Sequence, residues 1–255
     1  MAWRLVGASL AALAFSRPAN AAEPTPSIRV RVYDYARVER RILAAAEKEA
    51  AQILAQAGIA TVWVDCPLEA ADYEAHPACH QPLTPADIIL RFVSSSMEKG
   101  LPFDHSKVGF ALVSKEGPPG SFASVFYQRI LSLARGDESA LGLGLGRATT
   151  HEIGHLLLRT EEHSKRGIMR GDWRQRDFCD GTAMLLFARE EADRMRANLR
   201  SRVALRPAIN VASASPRNDW SPTWNGLDPS SPPGCSPLRN WQCPALSLTC
   251  LDAGR

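Results

Sequence analysis

The sequence predicts an α+β fold, and three observations predict it. A strand-like run, a helical run and a second strand-like run open the chain, an order that favours a crossover connection and parallel pairing of the two strands. Two further strand-like runs follow within the first half. The second half then carries two long helical segments, and the first of them holds the string His151-Glu152-Ile153-Gly154-His155.

Ser27 to Tyr35 alternates apolar and polar residues, with Ile28, Val30 and Val32 on one side. From Ala36 to Ala57 the period becomes helical: Val38, Ile42, Ala46, Ala50, Ile53, Leu54 and Ala57 form an apolar stripe. Gly58 stands where a helix C-cap wants it. Ala60 to Val64 reads as the second strand, ending at Cys66. The insert from Cys66 to Pro85 reads as a loop stapled by a Cys66–Cys79 disulfide; it holds His76 and His80, but Pro77 prevents a regular helix through both. Asp87 to Val93 is apolar enough for a strand buried on both faces. Ser94 to Lys107 reads as loop, Val108 to Val113 as a fourth strand, and Gly117-Pro118-Pro119-Gly120 as a turn.

Ser121 to Leu131 carries Phe122, Val125, Phe126 and Tyr127, and periodicity alone leaves strand and helix both open there. Gly142, Gly144 and Gly146 each weaken a helix by roughly 1 kcal/mol relative to alanine, which puts the start of the regular HExxH helix near Leu145. Close packing of that helix onto the sheet is a second reason for small residues. Asp172 to Asp180 is polar and irregular. Gly181 to Val203 is an amphipathic closing helix, with Met184, Leu185, Phe187, Ala188, Ala192, Met195 and Leu199 on its apolar side and Pro207 beyond its end. Residues 206–255 are rich in Pro and Ser without periodicity and read as a poorly ordered extension.

The chain of 255 residues is long enough for one domain plus extensions. Residues 1–21 have the form of a secretory signal: Arg4, an apolar core from Leu5 to Phe15, and Ala19-Asn20-Ala21 as a cleavage site. Residues 22–205 then read as the folded domain. Cleavage after Ala21 removes Arg4 and Arg17 and no acid, taking the formal charge from +3 to +1. Such a balance does not suggest a nucleic-acid partner, and no later segment is long and apolar enough for stable membrane insertion. The expected location is exported, periplasmic or secreted, where the six cysteines can pair. Cys179, Cys235, Cys243 and Cys250 offer no C-x₂-C zinc pair, and their connectivity stays open.

Positions i and i+4 of a helix share a face, so His151 and His155 can reach one metal ion. Glu152 beside them can take a proton from water at the metal's open position. A third ligand has to come from further along: His163 is the leading choice, with Glu161 and Glu162 as alternatives. A carboxylate about twenty residues beyond His155 is another arrangement, and Gln175 with Asp177 nearby stands there.

His151-Glu152-Ile153-Gly154-His155-Leu156-Leu157-Leu158, followed by His163-Ser164 and Gly167-Ile168-Met169, resembles the metzincin type of zincin metallopeptidases, in particular small exported bacterial metzincin-like proteins. The detailed match covers His151 to Arg170. The resemblance implies a mixed twisted sheet with a backing helix, a cleft along an edge strand, and Zn2+ on the cleft floor above a methionine turn. It makes His151, His155 and His163 the ligands, Glu152 the base and Met169 the turn methionine. The chain departs from the common spacing, which has glycine at Leu158 and a ligand at Glu161; bacterial relatives usually have glycine at Arg159. The implied function is an exported zinc endopeptidase acting on peptides or proteins, with Ser121 to Tyr127 or Val108 to Val113 as the edge that holds the substrate. Two other functions fit the same motif: a non-enzymatic zinc-binding envelope protein, and a zinc hydrolase of cell-wall peptides. The sequence is silent on oligomeric state.

Overall fold

The structure, a computed structural model, describes residues 24–99, 101, 107–115, 119–179, 185–204 and 247–253. Residues 1–21, read above as a secretory signal, and most of the C-terminal extension lie outside these, as do Cys235 and Cys243.

Strand β1 (Ser27–Asp34) sends Ile28, Val30 and Val32 into the core, as its alternation requires. It pairs parallel with β2 (Ala60–Cys66) on one side and with β3 (Asp87–Val93) on the other. Helix α1 (Arg40–Gln56) connects β1 to β2 and buries Ile42, Ala46, Ala50, Ile53 and Leu54. Gly58, at φ +73°, turns the chain out of it. The insert after β2 holds a 3₁₀ turn, Ala70–Ala75, and the short helix α2 (Pro77–His80), with Pro77 in the first turn of α2. A disulfide joins Cys66 to Cys79, as the spacing predicts. Arg31 donates from β1 to the Cys79 and Gln81 carbonyls (3.3 and 2.7 Å) and to buried Asp87 (3.3 Å), fastening the loop to the sheet.

The segment read as loop contains one turn of helix, α3 (Ser95–Glu98), before β4 (Lys107–Val113) and β5 (Phe122–Phe126). Strand β5 lies between β3, to which it is parallel, and β4, to which it is antiparallel, so the sheet is mixed. Ser121 to Tyr127 is therefore interior to the sheet, which corrects its reading as an edge. The chain runs straight from β5 into α4 (Tyr127–Ala134). Arg135 and Gly136 take positive φ, and Asp137 caps helix α5 (Glu138–Leu158) by accepting from the Ser139 and Ala140 amides.

Helix α5 thus begins well before Leu145, and its glycines correct the propensity argument. A Cβ on Gly142 would stand 2.8 Å from the Ala45 Cβ, and one on Gly146 would stand 2.6 Å from the Ala46 carbonyl oxygen. A Cβ on Gly144 would meet Ile130 at 2.9 Å. Gly142 and Gly146 let α5 lie close against α1, and Gly144 lets it lie close against α4, while the helix also lies on the sheet; this packing offsets their poor helix propensity. Arg147 adds a buried ion pair to Glu49 of α1 (2.9 Å).

Beyond α5 come β6 (Asp172–Trp173), α6 (Gln175–Cys179) and α7 (Arg189–Ala204), so the stretch read as irregular contains a short strand and a turn of helix. A seventh strand, β7 (Ser247–Ala253), forms within the extension, where the sequence predicts no regular structure. Its regularity comes from pairing with the distant β4, which local periodicity does not report. The seven-stranded sheet runs β2-β1-β3-β5-β4-β7-β6. Strand β4 pairs antiparallel with β7, and β7 pairs parallel with β6, so among the described residues neither predicted edge segment lies at a free edge.

Candidate metal centre

Helix α5 lies across β4 and β5 and carries His151, Glu152 and His155 on its last turns, each fully buried. The helix ends at Leu158, and the chain turns at Arg159, which adopts left-handed φ 55°, ψ 40°. The reversal falls one residue beyond Leu158. The Arg159 guanidinium donates to the Ser114 and Lys115 carbonyls (3.3 and 3.0 Å), which anchors a conformation otherwise costly for a residue with a Cβ. The chain then loops back through His163. The Ser164 amide donates to the Met169 carbonyl (2.8 Å), and Gly167, at φ +76°, makes the turn into Ile168-Met169.

One nitrogen from each of His151, His155 and His163 lies within 4.8 Å of the other two, so the three histidines are positioned to bind a metal ion. Their ring centroids are 4.6 to 5.2 Å apart. Two carbonyls set the tautomers of the helical pair. His151 Nδ1 faces the Ile168 oxygen at 2.7 Å, and His155 Nδ1 faces the Thr160 oxygen at 2.8 Å. A carbonyl only accepts, so both Nδ1 atoms carry the proton in these bonds and both Nε2 atoms of the neutral rings are bare lone pairs. Those two Nε2 atoms face each other at 2.8 Å. Two lone pairs at that distance repel unless a cation lies between them. Burial lowers the proton affinity of both rings, His151 well below its ordinary value and His155 to about 3, so both are neutral, the form that ligates metal.

The donor set therefore fits a metal ion. Tetrahedral zinc, with nitrogen bonds of ~2.0–2.1 Å, would spread the pair to roughly 3.3 Å, an adjustment of about half an ångström. The carbonyls that hold Nδ1 are the orienting outer partners such a site needs.

Both Glu152 carboxylate oxygens are buried without a hydrogen-bond partner. Burial raises this carboxyl well above its ordinary value, opposed by the positive charge of Lys107. The carboxylate lies against β4, where a Cβ on Gly109 would stand 2.7 Å from Oε1. Beneath the helix, Met169 packs under Gly154 so closely that a Cβ there would fall 2.4 Å from the methionine sulfur. On the far side of the histidines, Trp173 meets the His151 ring edge-on at 5.5 Å, and Gly171 leaves the space that His163 occupies.

The alternatives for the third position lie elsewhere. Glu161 is 4.0 Å from Lys115, and neither it nor Glu162 belongs to the histidine cluster. Asp177 pairs with Arg170 and accepts from the Arg174 amide (2.7 Å). His76 and His80 spend a ring nitrogen each on the Asp72 and Tyr73 carbonyls. Sequence reasoning missed Gly109, Gly154, Gly171 and Trp173. An isolated glycine inside the strand pattern of β4 was a signal for close approach at Gly109; Trp173 gave none.

No protein-family model matches the chain, and no curated protein matches it. Among solved structures, the crystal structure of archaemetzincin (amzA) from Methanopyrus kandleri superposes with a TM-score of 0.42 at 15% sequence identity, covering 70% of this chain and 99% of that one. A likeness this distant says nothing about activity.

Proposed function

We propose that this protein is an exported, metzincin-type zinc endopeptidase in which His151, His155 and His163 hold one zinc ion and Glu152 is the general base. The observation that carries the reading is the facing pair of bare Nε2 atoms at 2.8 Å, with His163 beside them. Zinc, when bound, supplies Lewis-acid polarisation of the scissile carbonyl and lowers the pKa of water toward ~7. The rest is done by the chain. The Ile168 and Thr160 carbonyls hold the imidazoles in the ligand tautomer. The unpartnered Glu152 carboxylate receives the proton of the attacking water and delivers it to the leaving amine; its raised proton affinity suits both halves of that task. The substrate lies extended along β4, whose Gly109 touches the Glu152 side chain, and main-chain hydrogen bonds give affinity with little sequence preference.

Export is supported by the Cys66–Cys79 disulfide, which belongs to an oxidising compartment. Among the described residues no helix is long and apolar enough to cross a membrane.

The test combines metal analysis with peptide-library cleavage. Purified protein should carry about one zinc per chain, lose peptidase activity to a chelator and regain it with zinc. Glu152→Gln should retain the zinc while losing about 10²–10⁴-fold in rate. Full activity without metal, or a Glu152→Gln variant as fast as the parent, ends the reading.

A further inference from the structure

The outer edge of β4, along which a peptide would add, is paired with the chain's own C-terminal strand. The antiparallel register sets Val113 opposite Ser247, Leu112 opposite Leu248, Ala111 opposite Thr249 and Phe110 opposite Cys250, then shifts to Lys107 opposite Asp252. Across that shift β4 contributes Val108 and Gly109 where β7 contributes Leu251 alone. The irregularity therefore falls at Gly109, the residue that touches the Glu152 carboxylate. The backbone of residues 250–252 thus crosses the sheet edge level with the base.

Strand β7 also has a second partner. Asp172 and Trp173 of β6 pair with its Asp252 and Ala253. Trp173 packs on His151, and Gly171 just before it lies on His163. The strand therefore spans from the element over Glu152 to the element that follows the third histidine, across both walls of the centre. His163 is exposed, but His151, Glu152 and His155 are each 0% exposed. A general base must come within hydrogen-bond reach of the group it serves, which full burial denies to an incoming chain.

We infer that β7 is a built-in occupant of the substrate edge: it adds to β4 as a peptide would and must leave before a peptide is bound and cut. This rests on the peptidase reading for what the edge is used for. One side of a strand pairs with one neighbour, so β7 and substrate exclude each other. A segment tethered in the same chain competes at an effective concentration on the order of millimolar. An external peptide then binds in proportion to the fraction of molecules whose edge is free; a strand docked about nine-tenths of the time weakens it about tenfold.

The test uses the full chain with Glu152→Gln, so that nothing is cut, with and without the paired substitutions Leu248→Pro and Thr249→Pro. Successive amides of a strand point to opposite sides, so one of the two prolines removes an amide that faces β4. The probe is a fluorescent seven-residue peptide with the sequence of residues 247–253. The proline variant is expected to bind it about tenfold tighter or more. Its β4 amides, Lys107–Val113, should exchange hydrogen faster than in the parent and be protected again by the peptide. Equal affinities, or peptide binding that leaves β4 exchange unchanged, overturn the inference. Hydrolysis in the Glu152 background separates the two readings. If neither protein cuts any peptide while the binding difference stands, the peptidase reading falls and the strand's occupancy holds. If both bind and cut alike, the inference falls alone.

Discussion

Gly109→Ala probes the contact between β4 and the HExxH helix. The added Cβ would stand 2.7 Å from Glu152 Oε1, 3.0 Å from its Cγ and 2.9 Å from the Ser124 carbonyl oxygen. Ordinary contact needs about half an ångström more. The Ser124 oxygen belongs to β5, held in the sheet on both sides, whereas no hydrogen bond holds the Glu152 carboxylate. The carboxylate is what yields, by roughly 0.5–1 Å. A misplacement of about 1 Å at a reacting group costs on the order of 10²-fold, so kcat/KM should fall about 10- to 100-fold, or about 1.4–2.7 kcal/mol. Overpacking should also lower the stability by about 1–3 kcal/mol. Steady-state kinetics, zinc content and urea unfolding measure the three effects, and the zinc content should stay at the parent's value. Gly144→Ala is the control: its Cβ meets Ile130 at 2.9 Å, so it should cost stability and spare kcat/KM of the folded protein. A folded Gly109→Ala enzyme within about twofold of the parent would refute the placement of Glu152 against β4.

His163→Ala should weaken zinc binding by more than about 100-fold in a competitive titration, beyond the usual loss for an outer partner, whereas Glu161→Ala should leave it nearly unchanged; the reverse pattern moves the third ligand. Gly146→Ala sets about 1 kcal/mol of gained helix propensity against a Cβ 2.6 Å from the Ala46 carbonyl, and a net loss of about 1–2 kcal/mol is expected in urea. A more stable variant contradicts the close α1–α5 packing. Burial, then the charge and hydrogen bond of Asp65, raise the Glu47 carboxyl from 4.5 to about 7. The folded state binds that proton more tightly than the unfolded one, so the contribution is full below about 4.5 and lost as the pH rises through about 7. Glu47→Gln should therefore raise Tm by about 2–4 °C relative to the parent at pH 8 and by clearly less at pH 5. The same gain at both pH values would show that titration is not its cause.

What the sequence made legible was what is encoded locally. The i, i+4 spacing of His151 and His155, the alternation of β1 and the stripe of α1 each follow from a single repeat, and each stands in the fold. The return of His163 was legible only in part, because the reversal occurs at Arg159 with no glycine to announce it. The α5 glycines misled because propensity is a property of one helix, while their purpose lies in α1. Strands β6 and β7 were invisible for a related reason. A two-residue and a seven-residue strand have too little pattern of their own, and each is defined by a partner far away in the chain.

The pairing of Lys107 with Asp252 also has a consequence for the order of assembly. Made from its N-terminus, the chain has every residue of the first five strands and of the HExxH helix before β7 exists. For that interval the outer amides and carbonyls of β4 lack their final partner, and an unpaired strand edge is a template for joining other chains. A chain stopped short of Ser247 keeps that edge open for good. Its distinguishing trait should be self-association that grows with concentration, through the edge that the last strand otherwise covers.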